Sequence, residues 1–501
     1  MGLEPTLFRI GVAKMRTHLG LIVVTFVAAM GFTALAATPP AGAIAPLPDH
    51  LEDHLHAFVA TVNAGDAAAV RRFRDAAMSE GFAQNVPLSG LADYFQGQRR
   101  VTGGLDFVGA RLDPSNPGIV RLAVRDRIYG GVHGVRLPFE PDGDHRLSMV
   151  ETAGTPAWAI SSERTLSPGQ VAGNVRAAID RGCKAGVFSG AVLVARNEKV
   201  LLEQACGEAS RRYHVENTVE TRFNLASMNK MFTAVAVMQL IERGKVSLDD
   251  PLSKYADETW LPPSISDRIT INQLLTHTSG LGSFEEALRK APRDAYREVD
   301  DYKLLVRGEK PSFEPGTAYQ YSDTGMLLLG VVIEKASAEN YFSYVRRHIY
   351  EPSGMTVTDS YSLDEPVEKL AMGYVPVRDE PNGWRENTLS NLMRGCPAGG
   401  GYSTVGDLFR FARALETGKL VSAASLKILW ANHRPNDYGA GFEVEDSAAG
   451  KLVGHSGFDL GVSTQLRIYL DKGYVVAVLS NIERGAPTLA ETISNEIART
   501  R

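Results

Sequence analysis

Ser227-Met228-Asn229-Lys230 lies near the start of an apolar stretch over residues 223–244, and this stretch is typical of a helix. A serine and a lysine three positions apart on a helix share one face, so their side chains lie within reach of each other. A serine hydroxyl becomes a good nucleophile when a nearby base takes its proton. Lys230 is suited to be that base, or to set the field that makes another group the base. Free backbone N–H groups at the helix N-terminus favour developing negative charge, so the stretch predicts a nucleophilic serine at the start of a helix.

Two later motifs strengthen this short pattern, which on its own is common by chance. Tyr321-Ser322-Asp323 follows a Gly/Pro-containing segment, and His455-Ser456-Gly457 precedes a strand-like run at residues 462–470. In order and spacing the three motifs resemble the active site of the serine β-lactamase and penicillin-binding protein superfamily. The likeness is strongest to its class C-like branch of β-lactamase-related serine hydrolases, which includes family VIII carboxylesterases and D-amino-acid peptidases. It covers roughly residues 166–501, with further support from residues 274–281, 349–356 and 397–404.

The resemblance implies a role for each of the central residues. Ser227 is expected to accept the acyl group, Lys230 to ease its deprotonation, and Tyr321 to share the proton transfer. Whether Lys230 or Tyr321 takes the serine proton stays open at this point. The backbone N–H groups of Ser227 and Phe458 are expected to form the oxyanion hole. Gly457 would let its strand approach the substrate closely.

Two positions depart from the usual pattern of β-lactamases. Asp323 stands where they usually carry Asn, and an ionised carboxylate accepts hydrogen bonds without donating any. It would either hold Lys230 by charge or point into solvent. His455 stands where many relatives carry Lys, and it binds a substrate carboxylate only while protonated. A protonated His455, together with Lys230, would also hold phenolate character on Tyr321. Both departures favour esters or other amides over β-lactams.

Two other features invite a different interpretation of the chemistry. His277 suggests a Ser-His pair with Ser227 or Ser279, but no Gly-x-Ser-x-Gly elbow surrounds Ser227. We expect His277 to have a structural role. Residues 399–401 are three consecutive glycines without the Lys-Ser/Thr of a phosphate-binding loop. We expect them to form a turn that lines the site.

Composition limits the remaining classes of function. The net charge of -5, from 53 basic and 58 acidic residues, shows no excess of basic residues of the kind that is typical of nucleic-acid binding. No cofactor and no metal site is predicted, because His50, His54 and His56 fit the polar side of an amphipathic helix. Three cysteines allow at most one disulfide. Cys183 and Cys206 bracket a predicted hairpin and are candidates for it, but we expect all three cysteines, Cys396 included, to be small buried residues.

The first residues resemble a secretory signal. Lys14 and Arg16 precede an apolar run over residues 19–37 that ends in Ala34-Leu35-Ala36. A charged start, an apolar core and an Ala-x-Ala end predict a signal peptide over residues 1–37, cleaved after Ala36 or Ala37. The alternative is an uncleaved membrane anchor, since the run is about as long as a short membrane span. We expect cleavage, a secreted or periplasmic location, and no stable membrane insertion afterwards.

At 501 residues the chain predicts two or more domains. Residues 48–151 read as helices followed by antiparallel strands, a small α+β domain similar to NTF2-like or cystatin-like accessory domains. Residues 152–166 are predicted to be a linker. Residues 167–501 are predicted to be a β-lactamase-like serine hydrolase domain. By the resemblance, strands from both of its ends share an antiparallel sheet flanked by helices, beside a helical subdomain.

The leading hypothesis is an exported serine hydrolase that cleaves an ester or a peptide-like amide through a Ser227 acyl-enzyme. Its partner would be a small-molecule or peptide substrate. One alternative is a β-lactamase or D-alanyl-D-alanine carboxypeptidase that acts on β-lactams or cell-wall peptides. Another is a penicillin-binding sensor or scaffold that does not turn over. The sequence does not fix the natural substrate or the oligomeric state.

Overall fold

The computed structural model describes residues 47–160, 165–377, 383–433 and 436–501. The predicted signal peptide lies outside these residues. The first part of the described chain contains four helices and a four-stranded antiparallel sheet of order β1-β2-β3-β4. Their bounds are α1 Leu51–Ala64, α2 Ala67–Ala77, α3 Glu80–Asn85, α4 Leu88–Thr102, β1 Leu105–Asp113, β2 Asn116–Asp126, β3 Val132–Pro138 and β4 Glu151–Ala153.

Local chemistry accounts for these helices. In α1 the apolar residues recur on one face, where Leu55 and Phe58 are buried. Gly65, in the left-handed region at φ 67°, ends α1. Asp66 then caps α2 by accepting a hydrogen bond from the Ala69 N–H at 2.7 Å. Leu147 forms isolated bridges with Met78 and Phe139, and the ladder to β3 forms at β4.

A longer second part follows. Its elements are α5 Pro168–Lys184, β5 Gly190–Arg196, β6 Lys199–Cys206, β7 Glu208–Ser210, β8 Val215–Glu216, β9 Phe223–Asn224, α6 Asn229–Glu242, α7 Pro263–Ser266, α8 Ile271–Leu275, α9 Glu285–Leu288, α10 Lys303–Val306, α11 Asp323–Ser337, α12 Tyr341–Val345, α13 Glu351–Ser353, β10 Tyr374–Pro376, β11 Trp384–Glu386, β12 Tyr402–Ser403, α14 Val405–Glu416, α15 Ala423–Leu429, β13 Glu443–Ser447, β14 Gly450–Asp459, β15 Val462–Tyr469, β16 Tyr474–Ser480 and α16 Gly485–Ala498.

Strands from both ends of this part form one six-stranded sheet of order β13-β14-β15-β16-β5-β6. All of its neighbouring strands are antiparallel. Successive residues of β5 face opposite cores: Leu193 belongs to the core that includes α6 and α11, whereas Val192 belongs to the core that includes α5 and α16. This layout confirms the predicted fold class, a mixed α/β chain with antiparallel sheets flanked by helices.

The expectation that all three cysteines are small buried residues is wrong for one pair. Cys183, near the end of α5, forms a disulfide with Cys206, the last residue of β6, across a Cα–Cα distance of 6.3 Å. The bond forms because α5 packs along β6, which brings the ends of the two elements together. Cys396 is buried and free, as expected.

The small sheet and its helices dock on the outer face of α5 and α16. The ring of Tyr129 packs against Gly182, where a Cβ atom would lie 2.6 Å from the ring. Asn495 of α16 accepts a hydrogen bond from the Val132 N–H at 2.7 Å. Glu491, also on α16, accepts one from the Thr155 N–H at 2.9 Å. No helix in the described ranges is both long and apolar enough to span a membrane.

Candidate active site

Ser227 lies in a short 3-10 turn, Ala226–Met228, directly before α6. Ala226 has a φ of 46°, in the left-handed region that residues with a Cβ atom seldom adopt. Its N–H donates a hydrogen bond to Asn224 Oδ1 at 2.8 Å, which holds the turn. Helix α6 is buried along almost its whole length, so the turn is anchored on one side. Strained backbone held in this way is typical of functional positions.

Strand β14 packs closely against the turn that carries Ser227. A Cβ atom on Gly457 would lie 2.1 Å from the carbonyl oxygen of Leu225 and 2.3 Å from Thr464 Oγ1. Only glycine fits at this distance, so Gly457 allows the strand to reach the nucleophile turn. Thr464, the register partner of Gly457, donates its hydroxyl to the Leu225 carbonyl at 3.1 Å. Phe458, the next residue of β14, is 39% exposed.

The three consecutive glycines close the turn from the other side. The Leu225 N–H donates to the Gly401 carbonyl at 2.7 Å, and the Gly400 N–H donates to the Ala226 carbonyl at 3.1 Å. A Cβ atom on Gly399 would lie 3.1 Å from that Ala226 carbonyl. This segment therefore lines the site, as the sequence predicts.

Lys230 is completely buried and directs its ammonium at Ser227. Nζ donates to Ser227 Oγ at 3.0 Å, to Asp323 Oδ1 at 2.8 Å and to the Ala398 carbonyl at 2.6 Å. Burial alone would lower the pKa of this amine. The attraction of Asp323, joined by that of Tyr321 when the phenol is ionised, outweighs burial, so the pKa of Lys230 lies above its usual value. Lys230 is therefore an ammonium ion with three acceptors for its three protons.

Tyr321 lies beside this ammonium. Lys230 Nζ is 4.7 Å from the centroid of the Tyr321 ring. Although the residue as a whole is 37% exposed, removal of its hydroxyl from water raises the pKa of the phenol to about 12, against the lowering effect of Lys230 and of the hydrogen bonds to Lys230 and Ser227. The resting site thus holds a neutral phenol and an ammonium.

Asp323 does not point into solvent. One of its oxygens binds Lys230, and Oδ2 accepts a hydrogen bond from Ser283 Oγ at 2.9 Å. Its side chain is 16% exposed. Asp323 is also the first residue of α11, where the N-terminal end of the helix favours a negative charge. Of the two roles considered for Asp323, the geometry supports the one in which it holds Lys230 by charge.

His455 is 2% exposed and has hydrogen bonds at both ring nitrogens. Nδ1 lies 2.5 Å from the Ser456 carbonyl oxygen, and Nε2 lies 3.1 Å from the Tyr438 hydroxyl. Burial lowers the pKa of His455, and Lys230 adds to this effect against the opposing pull of Glu443. The expectation that His455 serves as a second cation beside Tyr321 therefore needs correction, because the buried ring is uncharged near neutral pH.

His277 does not pair with Ser227. Its Nδ1 accepts a hydrogen bond from the Ser322 N–H at 3.1 Å, and its ring packs 4.4 Å from the ring of Tyr321. Burial holds its pKa well below the usual value. His277 therefore supports the segment that carries Tyr321, in line with the structural role expected from the sequence.

The comparison with known protein families agrees with this geometry. Residues 172–497 match the family described as Beta-lactamase, which is more than half of the chain. The chain belongs to the Beta-lactamase family.

Relatives of this chain include penicillin-binding proteins and an esterase. The chain is 32% identical to penicillin-binding protein 4* of Bacillus subtilis over 59% of its own length and 68% of that protein. It is 32% identical to the esterase EstB of Burkholderia gladioli over 46% of its length and 62% of the esterase. The crystal structure of a penicillin-binding protein from Bacillus halodurans superposes with a TM-score of 0.57, at 28% identity, over 65% of this chain and 97% of that one. Together with the family match, these relatives identify the chain as a serine hydrolase.

Compared with the motifs of the Beta-lactamase family, the structure adds residues that sequence reasoning missed. Ser283 binds Asp323, and Tyr438 binds His455. Tyr438 lies in a Tyr-Gly-x-Gly segment whose glycines are a usable signal for a tight turn, whereas nothing in the sequence distinguishes Ser283.

Partial removal from water, with repulsion from Asp323, raises the pKa of Glu285 to about 7 and that of Asp459 to about 6. These two carboxyl groups therefore share the electrostatic field of the site.

Proposed function

We propose that this protein is an exported serine hydrolase that cleaves an ester or peptide-like amide bond through an acyl-enzyme on Ser227. The observation that carries the proposal is the contact of a fully buried Lys230 ammonium with Ser227 Oγ at 3.0 Å. A buried cation at this position stabilises the serine alkoxide that attacks the substrate. A purely structural lysine would not need to be directed at a serine in a strained turn.

The proton transfer follows from the two pKa shifts. Lys230 holds its proton firmly, whereas Tyr321 has a pKa of about 12 and is stabilised as a phenolate by the adjacent ammonium. We therefore assign Tyr321 as the base that takes the proton of Ser227 as its oxygen bonds to the acyl carbon. Tyr321 then returns that proton to the leaving group when the tetrahedral intermediate collapses. In the second half of the reaction, water attacks the acyl carbon while Tyr321 takes its proton. Tyr321 then returns that proton to Ser227 Oγ as the acid product leaves.

The negative charge of the tetrahedral intermediate needs donors that are already in place. The N–H groups of Ser227 and Phe458 are the proposed oxyanion hole, and the close approach of β14 at Gly457 supports this assignment. One such donor lowers the barrier by about 3–4 kcal/mol. Because both donors belong to the backbone, side-chain substitution at Phe458 alone leaves them in place.

The charges of the site favour esters and uncharged acyl groups as substrates. Both oxygens of Asp323 accept hydrogen bonds from the protein, so this residue offers no donor to a substrate amide. His455 carries no charge with which to attract a substrate carboxylate. A β-lactam antibiotic presents both an amide and a carboxylate, so it loses two contacts that an aryl ester does not need.

A β-lactamase or D-alanyl-D-alanine carboxypeptidase is the second candidate, favoured by the 32% identity to a penicillin-binding protein. The test compares kcat/KM for a short-chain aryl ester with kcat/KM for a chromogenic cephalosporin. We expect the ester value to be larger by a factor of about a hundred, the size expected when a few polar contacts are missing. A larger cephalosporin value would favour the second candidate. Fewer than one turnover per active site on every substrate would favour a sensor.

We also propose export and a division into domains. Residues 1–37 are the proposed signal peptide, residues 48–151 an accessory domain, residues 152–166 a linker, and residues 167–501 the catalytic domain. The Cys183–Cys206 disulfide supports export, because such bonds persist mainly in oxidising compartments. N-terminal sequencing of protein recovered from the periplasm or medium tests the cleavage site. Full-length protein retained in the membrane would contradict it.

A further inference from the structure

Both nitrogens of the buried His455 ring form hydrogen bonds within the protein. Nδ1 lies 2.5 Å from the carbonyl oxygen of Ser456, and a carbonyl only accepts, so Nδ1 carries a proton. In a neutral imidazole this leaves Nε2 as an acceptor. The Tyr438 hydroxyl, 3.1 Å from Nε2, is then its donor. A doubly protonated ring would instead donate from Nε2 to the Tyr438 oxygen, and the Tyr438 proton would then have no acceptor among the described residues. The contacts therefore favour the neutral tautomer of His455.

Tyr438 is held rigidly in front of this ring. It is 3% exposed, and its carbonyl accepts a hydrogen bond from the His433 N–H at 3.0 Å. Its ring packs 4.6 Å from the ring of His277 and edge-on to Tyr321. Among the described residues the Tyr438 hydroxyl has no hydrogen-bond partner other than His455. The hydroxyl is therefore directed at Nε2 by the packing of its own ring.

The charged groups around His455 have opposite effects on the protonation of its ring. Glu443 of β13 lies 3.7 Å from Nδ1 and favours protonation, but Ser456 Oγ also donates to this carboxylate. Lys230 from α6 disfavours protonation and Asp323 from α11 favours it, while burial disfavours it most. Burial and Lys230 thus oppose Glu443 and Asp323, and a hydrogen bond donated to Nε2 adds to the side that favours the uncharged ring.

We propose that Tyr438 is a positioning residue that keeps His455 uncharged, so that β14 offers the substrate no cation. The site then discriminates against acyl groups that carry a carboxylate near the scissile bond. The effect on substrate choice rests on the proposed hydrolase function, whereas the effect on the charge of His455 does not. Tyr438 acts through His455 and need not touch the substrate.

The kinetic test compares the full-length protein with its Tyr438→Phe variant, which keeps the ring and removes the donor. Two aryl esters with the same leaving group are used, one with an acyl chain that ends in a carboxylate and one that ends in the uncharged amide. KM is measured for both from about pH 8 to about pH 5, the range in which a histidine titrates. In the wild type we expect the ratio of the two KM values to change only as Glu285 and Asp459 take up protons, because the pKa values of these carboxyl groups, about 7 and about 6, lie within this range. In Tyr438→Phe the ratio should fall about tenfold further towards acidic pH, as His455 gains a charge that attracts the carboxylate.

A matched control and a second measurement separate this role from general damage to the site. Tyr319→Phe removes a hydroxyl from a neighbouring ring, 6.3 Å from the Tyr438 ring, that does not bind His455. It should leave the pH dependence of the KM ratio as it is in the wild type. Histidine ¹⁵N NMR, with His455 assigned by its loss in His455→Gln, reports the charge directly. We expect a neutral Nδ1–H ring near pH 6 in the wild type and a titration shifted upward by about one pH unit in Tyr438→Phe.

A wild-type His455 that is already charged near pH 7, or an unchanged titration in Tyr438→Phe, would overturn the proposal. So would a shifted titration in Tyr438→Phe accompanied by the KM ratio of the wild type at every pH, because the substrate consequence would then be absent. If neither ester is turned over by any of the proteins, the hydrolase function fails. The NMR titration still decides the role of Tyr438 in that case.

Discussion

The ammonium of Lys230 and the carboxylate of Asp323 meet at 2.8 Å, although 93 positions separate them in the sequence. Lys230 is fully buried, whereas Asp323 is 16% exposed at the start of α11. The pair compensates a charge that would be costly to bury alone. It also holds the ammonium beside Ser227 Oγ, so the chemistry at Ser227 depends on a contact between α6 and α11.

Asp323→Asn is expected to lower kcat/KM for an aryl ester about tenfold to a hundredfold, because the buried ammonium loses its counter-charge. The new amide also supplies a donor for a substrate carbonyl, so cephalosporin activity should rise relative to ester activity. Steady-state rates on both substrates measure the ratio. Ser283→Ala is the control, since it removes only the partner of Asp323 Oδ2 and should leave the ratio unchanged. If Asp323→Asn lowers both activities equally, Asp323 only positions Lys230.

Gly457→Ala is expected to abolish most activity, because the new methyl group would lie 2.1 Å from the Leu225 carbonyl and push β14 away from the nucleophile turn. The added atom should also lower the free energy of unfolding by about 1–3 kcal/mol. Urea unfolding and ester hydrolysis measure the two effects. Gly173→Ala, in α5 with open space around it, should cost neither stability nor activity. Full activity in Gly457→Ala would show that the close approach is unnecessary.

The pH profile of kcat/KM should rise from neutral to alkaline pH. Tyr321 acts as a base only after it loses its proton, and its pKa of about 12 means that the phenolate fraction grows throughout this range. Below that pKa the logarithm of kcat/KM should increase with a slope of about one per pH unit until the protein unfolds. Rates are corrected with Ser227→Ala as the blank. A maximum near neutral pH that persists in Tyr321→Phe would exclude Tyr321 as the base.

A truncated protein that begins at Leu166 should retain the chemical step, because Ser227, Tyr321 and His455 all lie in the part that follows. It should melt at a lower temperature than the full chain, since removal of Tyr129 and Thr155 uncovers α5 and α16. Thermal unfolding and ester kinetics on soluble material measure the two properties. A folded truncated protein without activity on any substrate of the full chain would contradict this prediction.

The sequence predicted the features that depend on short-range spacing. Ser227 and Lys230 are three positions apart, and their contact follows from helical geometry. The fold class followed from three motifs in a familiar order and from strand patterns at both ends of the second part. Helix caps such as Ser167 with Gln170 also form as their sequence indicates, with both halves of the capping box present.

Features that depend on long-range packing were not predictable in the same way. The Cys183–Cys206 disulfide arises because α5 packs along β6, which no local pattern specifies. The charge of His455 depends on burial and on a hydroxyl 17 positions earlier in the chain. Ala226, with its positive φ, has no signature in its residue type. In each case the outcome depends on tertiary packing, which a single sequence does not specify.

The most direct test of the account is intact-mass spectrometry after brief exposure to a slowly hydrolysed aryl ester, followed by peptide mapping. The wild-type protein should gain the mass of one acyl group, carried by the peptide that contains Ser227, and then lose it over time. Ser227→Ala should gain none and should keep less than about a thousandth of wild-type turnover while its fold persists. Acylation at another residue, or substantial turnover by Ser227→Ala, would contradict the assignment of Ser227 as the nucleophile.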